Sequence, residues 1–451
     1  MERDAIDLGK MRIPRLFKIY FIPTLLGMIS ISAVTAFDGI FIGRGVGSNG
    51  VAAVNIAVAP MMVIMGLGLM LGMGCSVVAS IQLARGKDKA ARYNVSQALA
   101  FATILIGIFG GCVLAAPEWF ARILGSSDTL MPLVVDYMVW IYPGLLFNIW
   151  LIIGLFVMRL DGAPKLAMWC NIITGLLNAV LDYIFIFPLG MGLKGAAIAT
   201  TISYTIGGII VIIYLGFYAR QLRLIKIKLS ATSLKLAMRN IGYQCRVGVS
   251  AMLGECTMAL LMFVGNQVFM QWLGDDGVGA FGVACYYCPF LFMVGNAIAQ
   301  SAQPIISYNY GQNQSDRVRK TERLAILTAL IAGVLVTTVF ILLPKPLVGL
   351  FLDTSSHAAG LAIAGLPYFA VAATFYIFNL TAIGYFQSVE KVWPSIVFAL
   401  LRGIVFLVPS FLIMPRLLGI PGIWLSLAMS EMLTALIIVT YYTVRKNQRF
   451  S

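Results

Sequence analysis

Charge is what this sequence has least of. Only 11% of its 451 residues are charged, against roughly 25% in soluble domains, which excludes an ordinary water-soluble globule. Histidine is nearly absent: the single His357 falls between apolar runs, so a histidine proton relay is excluded. Enzyme motifs are missing too. No phosphate-cradling GxxxxGK[ST] loop, zinc-binding HExxH or serine nucleophile elbow occurs, which argues against ATP-driven pumping and against an enzyme. No cofactor is expected. The cysteines (Cys75, Cys112, Cys170, Cys245, Cys256, Cys285 and Cys288) fall mostly inside apolar runs, where the residue behaves as a small hydrophobe. No disulfide is expected, and Cys285-x-x-Cys288 lacks the second pair or histidine that would complete a metal site.

Apolar length is what the sequence has most of. Hydrophobic residues make up 60% of the chain, gathered into runs of about 20 residues, each enough to cross a hydrocarbon core as a helix. The alternating segments of about 10 residues that mark a membrane β-barrel are absent. We place twelve spans near 18–43, 53–83, 93–117, 132–158, 165–188, 193–219, 246–272, 278–308, 324–344, 361–387, 391–415 and 420–444. The first run lacks a small-residue cleavage site and is expected to remain as a helix. The net charge of +14 is distributed as a membrane protein distributes it, so no nucleic-acid partner is expected. With a cytoplasmic N-terminus, 26 of the 32 basic residues fall in inside segments, among them Arg3, Arg85, Arg220, Lys228, Arg317 and Arg449. Only Arg44, Arg122, Lys194, Lys345 and Arg416 fall outside, and Arg402 lies within a span. This is the positive-inside asymmetry; it puts both termini in the cytoplasm and supports an even number of spans.

The chain also repeats itself. Gly47-x-x-Gly50-Val51-x-Ala53 recurs as Gly274-x-x-Gly277-Val278-x-Ala280, Pro117 as Pro344, and Gly192-Leu193-Lys194-Gly195 as Gly419-Ile420-Pro421-Gly422, each at an offset of 227 residues. Arg85-Gly86-Lys87 has a looser counterpart at Tyr310-Gly311-Gln312. A repeat of six spans keeps both copies the same way up, which predicts two parallel six-helix bundles related about the membrane normal and facing each other across a cleft. We divide the chain into an N-terminal lobe 1–222, a basic cytoplasmic linker 223–245 and a C-terminal lobe 246–451. Two lobes around a cleft suit alternating access, whereas nothing resembles a channel's selectivity filter.

Charges inside spans are costly and therefore point to function. Five stand out: Asp38, Asp182, Glu255, Arg402 and Glu431. Asp38 lies late in the first span and Asp182 late in the fifth, both running outward. Tyr137 lies early in the fourth and Thr200 early in the sixth, both running inward. All four reach the outer third of one lobe, and Asn178 is one turn from Asp182 on the same face. Paired carboxyls in an apolar cleft titrate as one unit and suit proton exchange; with Asn178, Tyr137 and Thr200 the same oxygens suit Na⁺. Bracing of helices accounts for such residues as well, and is the expectation for Arg402 and Glu431, which can pair. Glu255, at similar depth, is a possible substrate or second cation acid, and one arginine between two glutamates would make a neutralising network. The repeat counterpart of Asp38 falls near Gly265 and Asn266, so cation coupling is expected mainly in the first lobe. Pro23, fifteen residues before Asp38, is a possible hinge. The 22 methionines and 52 aromatic residues are mostly packing or lipid-facing; Phe37, Tyr286 and Phe290 are the aromatic residues that could line a substrate cleft.

These residues carry a resemblance. Ala36-Phe37-Asp38-Gly39-Ile40-Phe41-Ile42-Gly43 with Gly47 and Ala52-Ala53 is similar to the first-helix motif of the MATE multidrug exporters. So are Asn178-x-x-x-Asp182 with Gly195-Ala196-Ala197, the run Gln303-Pro304-Ile305-Ile306-Ser307-Tyr308-Asn309-Tyr310-Gly311, and Gly419 to Trp424. The resemblance covers the whole chain and is nearest to the DinF branch with its MepA-like exporters. It implies an all-α integral membrane fold of twelve helices in two bundles forming a V. It implies a bacterial inner-membrane antiporter that exports drugs against H⁺ or Na⁺, the activity behind antibiotic resistance. It also implies a cation site of Asp38, Asn178 and Asp182 with Tyr137 and Thr200, and a Pro23 bend answering the state of Asp38. Glu255 resembles an acid of the NorM branch. The pattern departs around Leu155, apolar where the DinF branch carries a further asparagine. Partners are expected to be small-molecule drugs or metabolites and membrane lipids, with the protein a monomer. Two other readings fit the residues less well. A flippase for lipid-linked precursors needs a broadly cationic cavity, and Arg402 is the only base within a span. A membrane enzyme or scaffold has no catalytic constellation to support it.

Overall fold

A computed structural model describes residues 6–227 and 230–447. Arg3, Lys228 and Arg449, counted above among the cytoplasmic bases, lie outside the described residues, as do the side chains of Ala36, Ala52, Arg445 and Lys446. Among the described residues every regular element is helical, as a chain whose backbone must satisfy itself in lipid requires. The order is α1 Ile13–Gly45, α2 Ser48–Ala84, α3 Asp88–Ala115, a short α4 Pro117–Ile123, α5 Met131–Leu160, α6 Pro164–Ile186 and α7 Gly192–Ile213. There follow α8 Ala231–Gly311, α9 Ser315–Leu342, a short α10 Pro344–Gly349, α11 His357–Ser388, α12 Val392–Leu400, α13 Leu407–Leu418 and α14 Ile420–Asn447. Prolines open α1, α4, α5, α6 and α10, where the missing N–H is not needed. Ser230 and Ser356 cap α8 and α11 by accepting from Ser233 N and Ala359 N, each at 3.2 Å.

Among the described residues, eleven helical segments are long and apolar enough to cross a membrane. The longest, α8, holds two of the twelve runs and breaks between them at Gly274, whose φ of 66° and ψ of −157° are not helical. Two spans contain a π turn. α7 continues through Tyr214–Tyr218, closed by Ala219 N donating to Tyr214 O at 2.8 Å. α12 and α13 are joined through Leu401–Val405, closed by Phe406 N donating to Leu401 O at 2.9 Å.

The internal repeat is written in the backbone. Gly47 and Gly274 both take positive φ (86° and 66°), as do Gly192 and Gly419 (58° and 66°), and Pro117 and Pro344 each open a short helix. The loose match of Gly86 to Gly311 is corrected by conformation. Gly86 has φ of 71°, and its counterpart is Asn313 with φ of 58°. Gly311 serves close packing instead: a Cβ there would stand 2.7 Å from Ala84 Cβ. Likewise Gly162 (φ 82°) answers to Glu390 (φ 54°).

The chain falls into two compact units, Met1–Met252 with Ser307–Ser315 and Leu253–Ile306 with Asp316–Ser451. In the first unit α5 packs on α2, α3 and α7, and α6 lies between α1 and α7. Its basic segment is tied down by polar bonds. Asp161 accepts from Tyr214 Oη (2.7 Å), Arg220 N (2.9 Å), Gln221 N (2.8 Å) and Leu222 N (2.9 Å), and Ser96 Oγ accepts from Ile225 N at 3.0 Å. The start of α8 joins the same unit. Gln244 donates to Asn94 Oδ1 at 2.8 Å, and a Cβ at Gly248 would run into the Met70 carbonyl of α2. In the second unit α14 packs against α11 and α13, over a cluster built on Phe378, Phe386, Phe398 and Ile438.

Candidate functional site

In the first unit, four helices bring the sequence-chosen polar residues together. α1 supplies Asp38, α5 Tyr137, α6 Asn178 and Asp182, and α7 Thr200. Asp182 is wholly buried, and Tyr137, Asn178 and Thr200 nearly so. The carboxyl groups of Asp38 and Asp182 lie beside each other, and among the described residues no basic group stands with them. Asp38 Oδ1 and both Asp182 oxygens are buried with no protein hydrogen-bond donor among the described residues. Two carboxylates cannot donate to each other, so their contact becomes a hydrogen bond only when one of them carries a proton. Asn178 Nδ2 donates to Thr200 Oγ1 at 3.1 Å, which fixes the amide with its carbonyl oxygen free of that bond. The site is thus rich in oxygen acceptors and poor in donors, the chemistry that suits a proton or a hard monovalent cation. Among the described residues no three acids, cysteines or histidines cluster as a metal site.

One further hydroxyl belongs here. Tyr204 on α7 stands near Asp38 and Asp182 and near Tyr137. It lies one helical turn beyond Thr200, and that i,i+4 spacing is the sequence signal that could have found it. Pro23 is buried within α1, which runs unbroken through it. Proline has no N–H for the carbonyl of Ile19 one turn earlier. On either side of it the hydroxyls of Tyr20 and Thr24 are buried without a protein partner among the described residues.

The second unit solves its buried charge differently. Arg402, 1% exposed, forks onto Glu431, 0% exposed: Nη2 and Nε donate to Oε1 at 2.7 and 3.0 Å, and Nε to Oε2 at 3.2 Å. Asn379 Nδ2 donates to Glu431 Oε2 at 2.7 Å and to its main-chain oxygen at 2.8 Å. The Tyr376 ring lies 4.2 Å from the guanidinium carbon, and its hydroxyl donates to Met258 Sδ at 3.2 Å. A three-member network with Glu255 does not form: Nε and Nη2 are held by Glu431, and Nη1 is buried without a partner among the described residues. Glu255, half-buried on α8, has no hydrogen bond or ion pair among the described residues. Asn379 and Tyr376, three residues apart on α11, went unread in the sequence because neither is ionised. Of the aromatic residues, Phe37 is exposed and stacks on Phe41 at 6.2 Å. Tyr286 is exposed and stacks on Phe351 at 4.9 Å, and Phe290 is half-buried.

Known proteins of this build are transporters. The MatE family model matches residues 23–184 and again 251–412, two copies whose starts are 228 residues apart. A relative in Staphylococcus saprophyticus, called multidrug export protein MepA, is 24% identical over 424 residues, covering 92% of this chain and 90% of its own. A second, from Shewanella oneidensis, is called a FAD transporter; it is 24% identical over 434 residues, covering 94% and 93%. A multidrug resistance MATE family transporter solved in an outward-facing conformation superimposes with a TM-score of 0.89 at 23% identity, over 98% of both chains. A MOP superfamily transporter from Pyrococcus furiosus gives 0.88 at 23% identity, again over 98% of both.

Proposed function

The chain belongs to the MatE family, and from that premise we propose that it is a cation-coupled antiporter exporting amphipathic, often cationic, small molecules by alternating access. It is a multi-pass membrane transporter and not an enzyme. The observation that carries the coupling is the pair of adjacent carboxyls at Asp38 and Asp182 with no base beside them. Such a pair cannot be doubly ionised in an apolar interior without a cation. Binding H⁺ or Na⁺ there lowers the cost of one conformation, while an organic cation favours the other. Each ligand then promotes release of its rival, because coupling between two sites is reciprocal. Asp38, Asp182, Asn178, Tyr137 and Thr200 hold the ion; Pro23 lets α1 bend when Asp38 changes state; Glu255 meets the positive end of a substrate.

The multidrug export relatives support a broad range of drug-like substrates. The inside excess of Lys and Arg supports a bacterial inner-membrane protein with both termini cytoplasmic, and we propose that it acts as a monomer among lipids. A flippase for pyrophosphate-linked lipids is the weaker reading. Its cavity needs free positive charge, and Arg402, buried within a span, is neutralised by Glu431.

The test is ethidium efflux from proteoliposomes of the purified protein under an imposed pH or Na⁺ gradient. Efflux driven by one gradient and abolished when it is collapsed is expected, and identifies the ion. Efflux indifferent to both gradients overturns the coupling.

A further inference from the structure

The second unit holds a groove that none of the residues above lines. It has a volume of about 460 Å³ and is formed by Phe263, Gln267, Met270 and Gln271 of α8 against Val408 and Leu412 of α13. We propose that it is a substrate subsite that binds the uncharged, hydrogen-bonding part of an aromatic amphiphile. The proposal rests on the export reading above and adds to it a place where the cargo is held.

The size fits a drug-like molecule, whose pockets run from about 300 to 1,000 Å³. The composition is more specific. Phe263, Gln267 and Gln271 follow one another at intervals of four, so they share a helix face. Val408 and Leu412 are likewise one turn apart on the facing wall. Gln267 and Gln271 are exposed, and neither makes a hydrogen bond among the described residues. A carboxamide bare to hydrocarbon forfeits its bonds to water. Polar side chains within membrane helices therefore face a cavity or a partner rather than lipid. The helix thus turns a costly face towards the groove, and a ligand that bonds to both amides recovers that cost.

The chemistry also sets what is recognised. No ionisable side chain lines the groove, so it does not read charge. Each glutamine offers a donor and an acceptor, which meets an aryl amine, an amide or a ring carbonyl equally. Phe263 gives a flat apolar surface, and Met270 is unbranched and adaptable. A site of this kind tolerates many scaffolds provided they carry an aromatic body and a neutral polar edge.

Two measurements test this, with ethidium as probe, since its aryl amines can donate to both amide oxygens. In the first, the Gln267→Leu, Gln271→Leu double variant is assayed for transport. Leucine is the better residue in lipid, so folding is expected to hold. KM should rise about tenfold at unchanged kcat, the signature of lost uniform binding; an unchanged KM overturns the proposal. In the second, purified Gln267→Cys protein in nanodiscs is exposed to a charged, membrane-impermeant thiol reagent, and the label taken up by the wild type is subtracted. Labelling that ethidium slows supports the subsite. No labelling, which means a lipid-facing position, or labelling that ethidium leaves unchanged, overturns it. Labelling does not depend on a gradient. If labelling is protected but no gradient drives efflux, the export reading fails and the groove stands; if efflux is driven but Gln267→Cys is unprotected, the groove fails alone.

Discussion

Glu431 occupies in the second half of the chain the register position that Tyr204 occupies in the first, 227 residues earlier. Around Tyr204 stand two carboxyls and, among the described residues, no base. At Glu431 stands one carboxyl with an arginine forked onto it. One repeat leaves its buried carboxyls without a base, and the other cancels its charge within the protein. That difference separates residues expected to matter for coupling from residues expected to matter for stability.

Asp38→Asn and Asp182→Asn remove a charge while keeping shape. Each is expected to lower gradient-driven ethidium efflux at least tenfold, with dye binding to the purified protein within about twofold of wild type. The measurement is initial efflux rate in proteoliposomes beside equilibrium dye binding. Normal coupled efflux by both variants would sink the assignment of the site.

Arg402→Met alone strands Glu431 and is expected to cost about 3–5 kcal/mol, as breaking a buried pair does. Arg402→Met with Glu431→Leu removes both charges and should lie within about 1 kcal/mol of wild type. Unfolding in detergent reads the comparison. A double variant as unstable as the single one shows that shape, not charge, holds α11, α13 and α14 together.

The sequence made the charges legible and the neutral chemistry much less so. A carboxylate in an apolar run is rare enough to be noticed, so Asp38 and Asp182 could be named, and their depth followed from counting along two spans. Tyr204 could not be separated from seventeen other tyrosines in a chain that has 18; only its spacing from Thr200 marks it. Gln267 and Gln271 carry no charge, and their exposure on a grooved face is a property of packing. The spans were legible because hydropathy reports length. The π turn at Leu401–Val405 was not, because it is a choice of hydrogen-bond partner that no residue in Leu401-Arg402-Gly403-Ile404-Val405 dictates. The counterpart of Gly86 is Asn313 and not Gly311, because glycine answers two needs, a positive φ and a close approach, that sequence does not distinguish.

Gly248→Val is expected to destabilise the first unit by about 3 kcal/mol, since any Cβ there meets the Met70 carbonyl and two backbones must separate. Gly242→Val, six residues before it and with open space around its α-carbon, is the control and should cost well under half as much. Thermal unfolding in detergent compares the two. Equal losses attribute the effect to helix propensity and not to the crossing of α2 and α8.

Glu390→Gly is expected to stabilise. Glu390 holds a φ of 54°, strained for a residue with a Cβ and taken by Gly162 in the first repeat. Relief of that strain, less the entropy that glycine adds to the unfolded chain, leaves a gain of about 1 kcal/mol. Glu390→Ala keeps the Cβ and should show no gain. A variant series followed by thermal unfolding decides it: equal behaviour of glycine and alanine assigns the change to the lost side chain.

The turn between α12 and α13 has a consequence for how this span can be altered. A π turn spends one residue more than an α turn, and each residue advances a helix by about 100°. Everything from Leu407 to Leu418 is therefore set in phase by a single surplus residue. Deleting one residue between Leu401 and Val405 would re-index the outer end of the span, swinging Val408 and Leu412 away from the glutamines of α8 without changing a side chain. In this span a shift of reading position, and not only a substitution, is a route by which the cargo preference of the protein can change.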